Sequence, residues 1–265
     1  YSNQGDYSKA LVCFEGALKI FLLLNGDNHP AVATSYSYIG QIYFAQNDYS
    51  KALDYFKKSL NLDLSFFGEN HPEVASGYYN IGYVYFAQGD YSKALEYFEE
   101  VLKIRLSVYG ENHSRVASVY NDIGEIYSVQ GDDFKALDYF KKSLKIVLSV
   151  YGENHSQVSS IYDHIGEVYF AQKDYSKALY YFEESLKIRL SLFGENHPEV
   201  ALSYYSIGSL YIIQGDKSKA LNYYEKSLKI RLSVYGENHP LTKEIMDLIN
   251  VAANSKVLQS PETTK

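Results

Sequence analysis

The tetrapeptide Gly-Glu-Asn-His recurs at a fixed spacing, and that periodicity limits the possible folds more than any single residue does. It begins at Gly68, Gly110, Gly152, Gly194 and Gly236, each 42 residues after the last, with a Gly-Asp-Asn-His variant at Gly26. A second series keeps the same step: Gly40, Gly82, Gly124, Gly166 and Gly208 are each preceded by Ile and followed three residues later by Tyr. A period of this size marks an array of supersecondary units that touch only their neighbours. The 265 residues therefore do not divide into globular domains by length.

Within the unit from Pro72 to His113, Tyr78, Ile81, Gly82 and Tyr85 fall on one helical face. Gly89-Asp90 interrupts the pattern, after which Leu95, Phe98, Leu102 and Leu106 again recur at helical spacing. Each unit predicts a hairpin of two helices, A then B. The Gly-Glu-Asn-His stretch then reads as the joint from helix B to the next helix A, with Gly110 at a left-handed C-cap and Pro72, Pro198 and Pro240 at the favoured first helical position. A metal site built from successive copies fails on distance, because two packed helices of about 8–10 Å each separate them, whereas zinc ligands lie about 2 Å from the ion. Replacing His113 is accordingly expected to leave folding nearly unchanged.

Tyr-x-x-Ile-Gly-x-x-Tyr in helix A, with Ala52 and Phe56 or Ala94 and Phe98 in helix B, resembles the tetratricopeptide pattern. The longer unit, the Gly-Glu-Asn-His-Pro joint and Lys-Ile-Arg-Leu late in helix B are similar to the kinesin light chain type of that repeat. The resemblance implies an all-α, right-handed superhelical solenoid of helix-turn-helix repeats with a concave groove for extended or helical peptides. The expected division is a partial repeat at 1–28, repeats at 29–70, 71–112, 113–154, 155–196 and 197–238, a capping helix at 239–256 and a disordered tail at 257–265. The first six residues align with Tyr43–Asp48, the tail of a helix A, which implies a fragment of a longer protein. Phe21 and Leu23, apolar where Arg105 and Ser107 stand later, suggest either burial by upstream sequence or a frayed edge.

A net charge of −7 with no basic run argues against nucleic acid and anionic membrane as partners. No apolar run approaches the ~20 residues of a membrane span. The single cysteine, Cys13, excludes an internal disulfide framework and fits a reducing, cytoplasmic compartment. It replaces the tyrosine of the other units (Tyr55, Tyr97, Tyr139, Tyr223) and reads as a packed thiol.

Function is expected on the helix A face that the Tyr, Ile and Gly positions leave free. Three residues before each glycine stand Ser37, Tyr79, Asn121, Asp163 and Tyr205, and one after it Gln41, Tyr83, Glu125, Glu167 and Ser209. Phe44, Phe86, Ser128, Phe170 and Ile212 follow four after it. These positions differ between units that otherwise nearly match, as a groove tailored to an asymmetric ligand would. A carboxylate-clamp version of the family holds acidic termini with Lys, Arg and Asn. Here helix A is almost free of basic residues and only Asn80 keeps the clamp-like asparagine, which argues against that specificity. Asp122, Glu125, Asp163 and Glu167, with Tyr79 and Tyr83 beside them, instead favour a basic ligand with an apolar anchor. Asp163 beside His164 is the nearest approach to a catalytic pair, yet no nucleophile is placed to use it. No phosphate loop, dinucleotide fingerprint or metal constellation occurs, so neither cofactor nor small-molecule substrate is expected. The chain reads as a non-enzymatic protein- or peptide-binding scaffold. The alternative is a sensing or autoinhibitory module of a larger signalling enzyme whose catalytic part lies upstream.

Overall fold

The structure, a computed structural model, describes residues 4–254, and every element among them is helical. In chain order these are α1 (Gln4–Asn25), α2 (Pro30–Ala45), α3 (Tyr49–Phe67), α4 (Pro72–Ala87), α5 (Tyr91–Tyr109), α6 (Ser114–Val129), α7 (Asp133–Tyr151), α8 (Ser156–Ala171), α9 (Tyr175–Phe193), α10 (Pro198–Ile213), α11 (Lys217–Tyr235) and α12 (Pro240–Asn254). The helices divide between two compact units, Tyr1–Ile146 and Val147–Lys265, with the boundary inside α7. In the first unit each helix from α1 to α6 that has a recorded partner packs on its chain neighbour, and in the second α8 through α12 do the same. This is an all-α array of helix pairs.

The recurring glycine sets how closely a pair approaches. A Cβ on Gly124 would lie 2.7 Å from the Phe140 ring, and one on Gly166 2.7 Å from the Phe182 ring. The aromatic ring of helix B therefore rests directly on the backbone of helix A. Buried serines add a tie across the same contact: Ser59 Oγ donates to the Ala33 carbonyl at 2.8 Å in the first unit, and Ser227 Oγ to that of Ala201 at 2.7 Å in the second. Each of these two bonds pairs a hydroxyl that burial would otherwise leave without a partner. The 29 tyrosines are structural in large part, since a helix A tyrosine stacks on a helix B tyrosine in repeat after repeat, as Tyr85 does on Tyr97 and Tyr169 on Tyr181, both at 5.6 Å.

The joints depart from expectation in two ways. Gly110 has φ 78° but ψ 171°, so it takes the extended positive-φ region open almost only to glycine and not the left-handed helical one. The histidine is a working cap: His113 Nδ1 accepts from the Arg115 N–H at 3.1 Å while its ring stacks on Tyr109 at 4.5 Å. Asp, Asn, Ser or Thr usually supply that acceptor; imidazole supplies it here and covers an aromatic ring as well. Loss of His113 is therefore not neutral.

At the amino end α1 continues through Gly5 and Asp6, where later repeats turn. Those turns close on a bond from the Asp N–H to a carbonyl five residues back, as Asp90 does to Tyr85 at 2.9 Å; the corresponding acceptor, Tyr1, lies outside the described residues. Cys13 is exposed, not packed: the Tyr43 ring that covers the equivalent Tyr55 at 5.5 Å belongs to the preceding helix A, and no helix precedes α1 among the described residues. Leu23 is 77% exposed, whereas Phe21 is half-buried. The helix expected at 239–256 is α12, and the tail at 257–265 lies outside the described residues.

Candidate functional site

In the first unit the expected residues do converge. The Tyr79 ring lies under the Arg105 guanidinium at 5.2 Å and against Phe98 at 5.4 Å. Its hydroxyl donates to Asp122, whose carboxyl burial and the neighbouring Glu125 push up to about 7, against the Tyr79 bond and Arg105. Asn121 Nδ2 donates to Glu125 Oε1 at 2.6 Å, and burial raises the Glu125 carboxyl. Tyr83 is 42% exposed and stands in a file of rings, 5.6 Å from Phe44, 6.1 Å from Tyr79 and 6.0 Å from Phe86. Asn80 Nδ2 reaches Ser37 Oγ at 3.4 Å. Ser37, Gln41, Tyr79 and Asn80 line a cavity of about 300 Å³.

That cavity is completed by residues outside the expected groove positions: Asp63 from α3, Glu73 from the first turn of α4 and Arg105 from α5. Asp63 is 8% exposed. Burial, then the charge of Glu73, push its carboxyl up to about 6, with only the Ser59 hydroxyl opposing. The sequence signal for this wall is a variable column within helix B: Phe21, Asp63, Arg105, Val147, Arg189 and Arg231 occupy the same repeat position.

In the second unit the same column closes the face. Arg189, 4% exposed, donates through Nη1 to Asp163 Oδ2 at 2.7 Å and Ser203 Oγ at 2.7 Å, and through Nη2 to Glu199 Oε2 at 3.1 Å. Burial raises the Asp163 carboxyl against the pull of Arg189. His164 is pushed down to about 4 by burial and then by Arg189, so its imidazole is neutral near pH 7. Arg231 stacks on Tyr205 at 4.9 Å and lies 3.5 Å from Glu244, which also accepts from the Tyr205 hydroxyl at 3.0 Å. Ser209 Oγ donates to the Tyr205 carbonyl at 3.0 Å and sits 3.1 Å from the Tyr224 hydroxyl. Glu167 is exposed. A face that helix A presents as acidic is thus partly neutralised from helix B.

No group of three or more His, Cys, Asp or Glu among the described residues could hold a metal ion, and no helix among them is long and apolar enough to cross a membrane. The sequence profile of the tetratricopeptide repeat matches residues 1–65, 60–107, 73–149, 115–191 and 157–233. Solved structures with a similar fold include BtubC (BKLC) from P. vanneervenii, 21% identical over 88% of this chain and 94% of that one, with a TM-score of 0.75. A candidate kinesin light chain from Podosopora anserina with nearly identical TPR-like repeats is 16% identical over 78% of this chain and 98% of that one, with a TM-score of 0.66. The Rap conjugation gene regulator of plasmid pLS20, solved in complex with the Phr* peptide, is 16% identical over 86% of this chain and 60% of that one, also at 0.66. Among curated proteins none matches closely enough to count as a relative.

Proposed function

Because the chain belongs to the tetratricopeptide repeat family, in its kinesin light chain-like form, we propose that it is a non-enzymatic, cytoplasmic scaffold that binds a basic and apolar peptide segment of a protein partner along the helix A face. The observation that supports this best is the file of rings around Tyr83. A large apolar side chain left 42% exposed between Phe44 and Phe86, with Glu125 acting on its hydroxyl, offers an apolar anchor and a negative rim together. Each charge-assisted contact is worth about 1.5–3 kcal/mol and a cation over a tyrosine ring about 0.5–2 kcal/mol. Two or three such contacts add to the apolar burial at the rings, which has to offset most of the association cost.

The test is to capture partners, synthesise the bound segments and titrate the tightest basic one against wild type and a Glu125→Lys, Glu167→Lys double variant. Binding should weaken as salt rises and fall at least tenfold in the folded variant. Captured segments that are consistently acidic, or a folded variant that binds as wild type does, would sink this reading.

A further inference from the structure

We propose that the cavity walled by Asp63 and Glu73 is a receptor for one cationic side chain, a lysine ammonium or arginine guanidinium, of the bound peptide. This rests on the peptide-binding reading and assigns the cation to a specific place. Two positions ten residues apart, late in helix B and in the first turn of the next helix A, distinguish this cavity from its counterpart. At 189 and 199 they hold Arg and Glu, joined at 3.1 Å, with Asp163 and Ser203 completing the guanidinium's contacts. At 63 and 73 they hold Asp and Glu, the counterpart of Asp163 is Ser37 and that of Ser203 is Gly77. The cation has become an acid, and one hydroxyl-bearing side chain has become none. What remains is a cavity of about 300 Å³ whose acids lack the charge that Arg189 provides from within the chain.

Asp63 is more than an acid in a cluster. It is 8% exposed and lines the cavity, yet its recorded hydrogen-bond neighbour, Ser59 Oγ at 3.5 Å, has one proton, and that proton goes to the Ala33 carbonyl at 2.8 Å. The carboxylate thus receives only this long, shared contact, and no other donor among the described residues reaches it. No lysine or arginine among the described residues pairs with Asp63 or Glu73. Arg105, on the same wall, is committed elsewhere, donating to the Arg115 carbonyl at 2.9 Å and to Ser118 at 3.0 Å while covering Tyr79. A buried carboxylate in that condition calls for a charged donor from outside. Two carboxylates are too few to hold a metal tightly, and a cavity of this size is at the lower limit for a small-molecule site. The tip of one long basic side chain fits both limits. The partner would supply in trans the group that Arg189 supplies in cis.

Calorimetric titration with acetyl-Leu-Arg-Leu-amide, its neutral citrulline counterpart and putrescine tests this on the whole chain. The arginine peptide should bind at least tenfold more tightly than the citrulline peptide. Asp63→Asn and Glu73→Gln should each bring that ratio to within twofold, and Asp63→Arg, which restores the internal pair, should abolish binding of the arginine peptide. Glu199→Gln should leave the ratio unchanged. Equal binding of the two peptides, a ratio kept in Asp63→Asn, or putrescine binding as tightly as the arginine peptide would each overturn the assignment. If that happened while longer captured segments still responded to Glu125→Lys, Glu167→Lys, the cavity would be misassigned and the peptide-binding reading would stand.

Discussion

The joints at Asp63/Glu73 and at Arg189/Glu199 share helix lengths and capping histidine, yet one is open and the other is filled by an arginine with three partners, Asp163, Glu199 and Ser203. Their difference lies in side chains at equivalent positions, above all acid against arginine late in helix B. In a repeat array the backbone is a constant, so function has to be written in such columns. An arginine there satisfies the acids of the neighbouring helices and leaves them unavailable. An acid there leaves charge without a partner and space for one.

Removing Arg189 is the largest perturbation of this comparison. Arg189→Met would leave Asp163 and Glu199 without the guanidinium, and breaking a buried pair from one side costs about 3–5 kcal/mol. Denaturant unfolding should show the midpoint falling accordingly with little change of slope. A loss below about 1 kcal/mol would mean that the network is not what closes the second unit.

Asp63→Asn should act in the opposite direction. The Asp63 carboxyl, ordinarily near 3.8, is pushed up to about 6 in the folded chain, so folding favours its protonated form. The favourable contribution is complete below pH 3.8 and is lost as pH rises through 6. At pH 7 the ionised wild type is thus disfavoured by about 2–3 kcal/mol, which the amide avoids. The variant should gain stability at pH 7 and none at pH 4. A variant that stabilises the fold while losing preference for arginine peptides would separate a binding residue from a structural one, since few structural acids are improved by removal.

How much of this was legible in the sequence follows the same division. The hairpins and the glycine on which Phe140 or Phe182 rests were readable, because periodicity and turn residues are local signals. Tyr79, Tyr83, Asp122 and Glu125 could be read as neighbours because they share one helix face or adjacent ones. Asp63 and Arg105 escaped, since a helix B side chain reaches the helix A face only through pair packing, which spacing within one helix does not encode; Glu73 escaped because it stands in the first turn of helix A, outside the three groove positions counted from the glycine. The cap at His113 escaped for another reason: histidine is not a usual N-cap residue, and its stacking on Tyr109 is visible only in three dimensions.

Those caps sharpen the comparison by what should not differ. His113 in the first unit stacks at 4.5 Å on Tyr109 and accepts from Arg115, and His197 in the second stacks at 4.4 Å on Phe193 and accepts from Glu199. Replacing either by Ala should cost about 1 kcal/mol, read from the denaturant midpoint, and chelators should change nothing. A difference between the two beyond about 0.5 kcal/mol would show that the joints differ in more than their charges.

The smallest effects are expected where charge is most visible. Lys93 meets Asp90 at 2.6 Å in the first unit and Lys177 meets Asp174 at 2.7 Å in the second, each lysine also lying over a tyrosine ring. Both lysine side chains are more than half exposed, so water screens the pair and holding two side chains in one geometry opposes it. Lys93→Met and Lys177→Met should leave the midpoint unchanged within error in both units, at low and high salt alike. The aspartates are another matter: Asp90 and Asp174 also accept the Lys93 and Lys177 backbone N–H groups at the helix starts, and Asp→Ala at either should be detectably destabilising where the lysine variants are not. If the lysine variants moved the midpoint as far as the aspartate variants do, surface pairing would stabilise this array as well. The buried column at Asp63 and Arg189 would then no longer be the feature that sets the two joints apart.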